Sequence, residues 1–152
     1  MNEFKGTLYM NDKQAQTYGP MLYDLSEKHK GLTPELLLKE ARKKRSPLHS
    51  WFEWDDTEAA EHYRLIQARR MIRSVEVVAN THDINVRALQ QVRYGDDEVK
   101  FQTIQTIASD EELRSQVIEK ARREYEAWRK RWIIYQELEP LFAATEEALL
   151  KL

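Results

Sequence analysis

The chain has 152 residues, 41% of them apolar, 10% aromatic and 33% charged, with a formal net charge of −2. That is enough apolar material for a core, so disorder of the whole chain is excluded, and the near-neutral balance means that any nucleic-acid-binding face has to be local. No cysteine is present, which removes disulfide frameworks, thiolate zinc sites and cysteine nucleophiles.

No apolar run approaches a membrane span, and the start MNEFKGTLYMNDK lacks the basic and apolar regions of a signal peptide. A soluble cytoplasmic protein with no membrane partner is expected.

Residues 1–18 are polar with scattered aromatics (Phe4, Tyr9, Tyr18) and read as an N-terminal arm or a loosely docked strand. Gly19-Pro20 then starts a short helix that Gly31 can close as a left-handed cap. Thr33 suits an N-cap and Pro34 the first helical position, so LLLKEARKKR forms a second helix that ends before Ser46-Pro47.

The stretch SPLHSWFEWDD, residues 46–56, reads as the corner into a third helix. Asp55 and Glu58 have the spacing of a capping box, and Trp51, Phe52 and Trp54 are best buried in the angle between the two helices. Only His49 has no structural reason. On the wheel of the third helix, Ala59, Ala60, Tyr63, Leu65, Ile66, Ala68, Met71 and Ile72 take up most of the circumference. The widest wet gap holds His62, Arg69 and Arg73, with Arg70 adjacent, so the exposed stripe is basic.

Beyond it the period falls to two. SVEVVAN, INVRALQQV and EVKFQTIQTI read as strands joined by THD and YGDD turns. From Ser109, which forms a capping box with Glu112, a long helix is expected to run to Pro140, followed by PLFAATEEALLKL. Ile118, Ala121, Tyr125, Trp128, Trp132 and Tyr135 recur at 3, 4, 3, 4, 3, a short coiled-coil-like seam.

The expected architecture is therefore α+β and mainly helical. It has an arm (1–18), a winged-helix-like three-helix domain with a small antiparallel sheet (19–108), and a C-terminal helical region for oligomerisation or docking (109–152). Within residues 31–139, four segments carry a resemblance: Leu32-Thr33-Pro34-Glu35, Ser46-Pro47-Leu48-His49, Phe52-Glu53-Trp54-Asp55-Asp56, and Tyr63-Arg64-Leu65 through Ala68-Arg69. They resemble the N-terminal block of small, poorly characterised proteins encoded by tailed bacteriophages and prophages. The resemblance implies a phage origin, a bacterial host cytoplasm and a helix-turn-helix-like fold; it supplies no catalytic residue.

His49, Glu53, Asp55, Asp56, Glu58 and His62 are residue types that ligate metal, but no H-E-x-x-H or comparable spacing joins them, so neither metal nor cofactor is expected. No nucleophile elbow or phosphate loop is present, and an enzyme is not expected. The leading expectation is a non-enzymatic DNA-binding or regulatory protein. Arg69, Arg70, Arg73 and His62 would address double-stranded DNA, with Lys43, Lys44 and Arg45 neutralising phosphate. Acids at the start of the third helix oppose this. The alternative is a protein-interaction module, a phage assembly factor or an inhibitor of a host protein, docking through the aromatic C-terminal helix. Self-association through the same seam is expected in either case.

Overall fold

In the computed structural model, which describes residues 3–7, 9–54, 58–79 and 84–152, the chain divides into two compact units, Met1–Asp110 and Glu111–Leu152. It is mainly helical α+β, with small antiparallel sheets in the first unit and a C-terminal helical region in the second. Among the described residues no helix is long and apolar enough to cross a membrane.

The first unit opens with β1 (Phe4–Gly6) and α1 (Asp12–Lys28). This corrects the expected arm. Asn11 and Gln14 form a reciprocal capping box that starts α1 eight residues before Pro20, and Pro20 lies inside the helix. A proline there forfeits a helix bond. Tertiary packing overrides that cost: the Phe4 ring lies where a Cβ on Gly19 would be, 2.5 Å away, and Gln16 Nε2 donates to the Phe4 carbonyl at 2.5 Å. At the other end the left-handed position falls to Lys30 at φ +52°, one residue before the expected Gly31; Lys30 N donates to the Glu27 carbonyl at 3.4 Å and Gly31 N, at φ +109°, to the Ser26 carbonyl at 2.7 Å.

Helix α2 (Pro34–Ala41) starts as expected, with Thr33 Oγ1 accepting from Leu36 N at 3.1 Å. It stops at Ala41, so Lys43, Lys44 and Arg45 lie in turns beyond the helix end. A single 3-10 turn (Pro47–Trp51) leads towards α3 (Glu58–Ser74). The proposed cap at Asp55 and the Glu58 side chain lie outside the described residues.

Strand β2 (Val75–Ala79) pairs antiparallel with both β1 and β3 (Ile84–Arg87), and β4 (Leu89–Tyr94) pairs with β5 (Glu98–Thr103). The turn proposed at residues 81–83 lies outside the described residues. INVRALQQV is thus two strands in two sheets. Buried Ala88 is the joint: its N–H donates to the Val75 carbonyl and its own carbonyl accepts from Ile104 N.

EVKFQTIQTI is a strand only as far as Thr103. Thr103 then caps α4 (Ile104–Ser109), its Oγ1 accepting from Thr106 N at 3.2 Å. An antiparallel bridge between Leu32 and Phe101 ties the α1–α2 connection to β5, and buried Ser26 donates to Gln102 Oε1 at 2.7 Å. The core gathers Phe4, Leu22, Leu37, Phe52, Met71, Ile72 and Leu89 around these seams.

In the second unit α5 (Glu111–Trp132) ends seven residues before the expected Glu139, and α6 (Glu139–Leu149) folds back on it. Ser109 belongs to α4, its Oγ donating to the Thr106 carbonyl, and does not cap α5. Tyr125 and Trp128 pack on buried Phe142, Arg129 pairs with Glu146 at 2.6 Å, and Arg122 donates to the Leu149 carbonyl. Those attachments need a turn after Trp132, where two isoleucines and a tyrosine are weak helix formers.

The close approach of Phe4 to Gly19 makes a prediction with an unusual sign. Gly to Ala in a helix interior ordinarily stabilises by about 0.5–1 kcal/mol. Here Gly19→Ala is expected to destabilise by roughly 1–3 kcal/mol through overpacking, read from urea midpoints. A stabilised variant would show that β1 does not pack on α1 in this way.

Candidate functional site

The corner at residues 46–54 resolves the question of His49. Its Nδ1–H donates to the Ala41 carbonyl at 2.8 Å, the group that would otherwise carry α2 forward. The imidazole stacks on Trp54, with ring centroids 4.7 Å apart and planes 7° from parallel. Trp54 Nε1 in turn donates to the His49 carbonyl at 2.8 Å. Ser46 caps the 3-10 turn by accepting from Leu48 N.

Arg64, given no role from sequence, is only 2% exposed and holds the corner to α3. Its Nε donates to the Glu53 carbonyl at 2.7 Å, its guanidinium lies over Trp54, and it reaches Glu61, which also pairs with Arg42. The hydrogen bond from Arg42 holds the Glu61 carboxyl below the usual carboxylate range; partial burial opposes, and the charges of Arg42 and Arg64 assist. His49 is thus committed to structure. Of the other candidate metal ligands, Glu53 and His62 are exposed, and Asp55, Asp56 and the Glu58 side chain lie outside the described residues.

The expected DNA-binding residues fall into two groups that the fold keeps apart. Arg42 of the α2 end pairs with Glu61 near the start of α3, whereas Glu35 at the start of α2 pairs with Arg69 at 3.8 Å, so the two helices run antiparallel. Lys43, Lys44 and Arg45 therefore lie towards the acidic start of α3, and Arg69, Arg70 and Arg73 towards its end. Lys43 is engaged with Glu40 at 2.7 Å, and that hydrogen bond lowers the Glu40 pKa. His62, Arg69, Arg70 and Arg73 are all exposed as the wheel implied. Arg69 has its long ion pair with Glu35, Arg70 lies over the Tyr9 ring at 5.1 Å, and Arg73 lies over Phe101 at 5.9 Å. Tyr63, expected on the apolar side, is also exposed.

Tyr63, Gln67 and Arg70 share one face of α3 and, with three other segments, form a cleft of about 350 Å³. Tyr9 precedes α1, Gln14 and Tyr18 come from α1, and Ser50 and Trp51 from the 3-10 turn. Tyr18 and Trp51 meet edge to face at 5.5 Å, and the Tyr18 hydroxyl lies 3.4 Å from Ser50 Oγ. Gln67 Oε1 is shielded from solvent and has no hydrogen-bond partner among the described residues. Sequence reasoning missed this site. Its residues span positions 9 to 70 with no common spacing, and the sequence around Trp51 points to corner packing.

The C-terminal seam is split. Ile118, Tyr125 and Trp128 are half-buried, Ala121 is exposed, and Trp132 and Tyr135 are exposed where α5 has ended. Ile133, Ile134 and Leu141 are exposed at the same turn.

No protein-family model, curated protein or solved structure matches the chain.

Two outcomes check the corner. His49→Ala is expected to cost about 1–2 kcal/mol in urea unfolding, through the lost hydrogen bond and ring stack. Glu61→Gln tests pH linkage. A depressed folded pKa gives stability that is present above the unfolded value, near pH ~4.3. The margin of wild type over the variant should be full at neutral pH and vanish as pH falls through the folded value. A margin independent of pH would assign the Arg42 and Arg64 contacts no charge dependence.

Proposed function

We propose that the protein is a non-enzymatic DNA-binding regulator of winged-helix type, in which the C-terminal half of α3 addresses the duplex. The observation that carries this reading is the trio Arg69, Arg70 and Arg73, exposed together on the third helix of the first unit. The Leu32–Phe101 bridge supports the winged-helix part, because it joins the α1–α2 connection to the strand of the last hairpin. Exposed ion pairs as long as Arg69–Glu35 contribute little, so exchanging the carboxylate for a phosphate oxygen costs little. The unit Met1–Asp110 carries 16 basic and 17 acidic residues, so attraction depends on these few side chains and is salt-sensitive. Glu61, Asp96, Asp97 and Glu98 disfavour phosphate at the start of α3 and at the hairpin turn, which directs the duplex to the arginine end. The resemblance of residues 31–139 suggests a phage-encoded regulator acting in a bacterial cytoplasm.

Fluorescence anisotropy of mixed-sequence duplex DNA tests this. Binding should weaken with a log–log salt slope of about −2 to −3, matching two to three phosphate contacts. Arg69→Ala/Arg73→Ala should reduce the slope to about −1 or abolish binding. Absence of binding at low salt rejects the reading.

The exposed Trp132, Ile133, Ile134, Tyr135 and Leu141 favour a second reading, an interaction module whose C-terminal unit self-associates or docks on a phage or host protein. Sedimentation should then show concentration-dependent dimer in wild type and monomer in Ile134→Asp. A wild-type mass that stays monomeric throughout would remove self-association.

A further inference from the structure

We propose that the cleft between the N-terminal segment, α1, the 3-10 turn and α3 binds one adenine nucleotide unit. Its base would lie among Tyr9, Tyr18, Trp51 and Tyr63, its amino edge on Gln67, and its phosphate on Arg70. Four aromatic rings supply faces or edges for a planar ring, and stacking on aromatic side chains is how proteins hold unpaired bases. The volume, about 350 Å³, sits at the small end of ligand cavities and suits a single nucleotide.

Gln67 selects among planar ligands. Its Oε1 is turned from solvent and accepts no hydrogen bond among the described residues, so little holds the terminal amide where it is. A ligand that offers an N–H donor beside an acceptor draws the amide into the cleft and satisfies both its ends. Adenine presents that pair in its amino group and ring N7, which a glutamine amide matches in bidentate fashion. A proline-rich peptide, the other ligand that aromatic grooves take, offers carbonyls and few N–H groups and would leave Oε1 unsatisfied. Arg70 has its guanidinium over Tyr9 at the same cleft, so its charge favours an anionic ligand. A nucleotide unit combines all three features, whether as a free nucleotide or as an unpaired residue of a single strand.

The inference shares only Arg70 with the duplex reading. The Arg69→Ala/Arg73→Ala variant, which tests duplex binding, leaves the cleft intact and should retain nucleotide binding.

The experiment is a titration of the ¹⁵N-labelled full chain followed through its tryptophan indole signals, with Trp51→Phe assigning the Trp51 signal. Adenosine monophosphate should shift Trp51 saturably with Kd of about 1 mM or tighter. Cytidine monophosphate, with less stacking surface, should bind several-fold more weakly, and inorganic phosphate should leave Trp51 in place. Gln67→Leu should weaken adenosine monophosphate at least ~5-fold while the melting temperature holds or rises, because the unsatisfied acceptor is removed. A short oligoadenylate that binds more tightly than the mononucleotide identifies a single strand as the source; equal binding identifies the free nucleotide. The proposal is overturned if no nucleotide moves Trp51 at millimolar concentration, if phosphate alone moves it equally, or if Gln67→Leu binds unchanged. A proline-rich peptide that moves Trp51 where adenosine monophosphate does not would reassign the cleft to peptide.

Discussion

The buried guanidinium of Arg64 is the constraint around which the first unit is arranged. A charge so withdrawn from water must be matched by hydrogen bonds and an opposite charge. Arg64 meets that demand from the Glu53 carbonyl, the Glu61 carboxylate and the face of Trp54. Each partner carries a piece of backbone with it, so the segment leading out of the 3-10 turn is drawn onto α3. Trp54 then fixes His49, and His49 takes the last carbonyl of α2. One interior charge thereby sets the end of one helix and the seat of the next.

That arrangement determines which charges are left for a ligand. Arg42 and Arg64 are used on Glu61, and Lys43 on Glu40, so these cations are already paired. The end of α3 is different. Arg69, Arg70 and Arg73 touch a carboxylate at long range and two aromatic rings, contacts that keep them in place without consuming their hydrogen-bond donors. Arg70 belongs both to this basic end and to the aromatic cleft, which puts the two candidate binding features on neighbouring faces of one helix.

Local backbone chemistry was legible where one or two residues decide it. Thr33-Pro34 starts α2 and the segment around Gly95 turns β4 into β5, each through a propensity that no distant contact opposes. Errors arose where a local signal lost to packing. Gly19-Pro20 looks like a helix start, yet Gly19 is the gap into which Phe4 fits, and the helix continues through both residues. INVRALQQV alternates as one strand would, but Ala88 bonds to β2 through its N–H and to the first residue of α4 through its carbonyl, and this divides it. The heptad seam continues past Trp132 in sequence, while α6 folding onto Tyr125 and Trp128 ends the helix there.

The sequence by itself determined the mainly helical α+β class, the start of α2 at Thr33-Pro34, the strand-rich middle and the basic stripe of α3, because periodicity and capping are short-range properties of the backbone. Only the tertiary structure decided that Arg64 is interior, that His49 is a structural residue, that Lys43–Arg45 are separated from Arg69–Arg73, and that residues from positions 9 to 70 enclose one aromatic cleft. Those outcomes depend on which distant groups compete for the same hydrogen bond or the same volume, and such competition exists only once the chain has closed on itself.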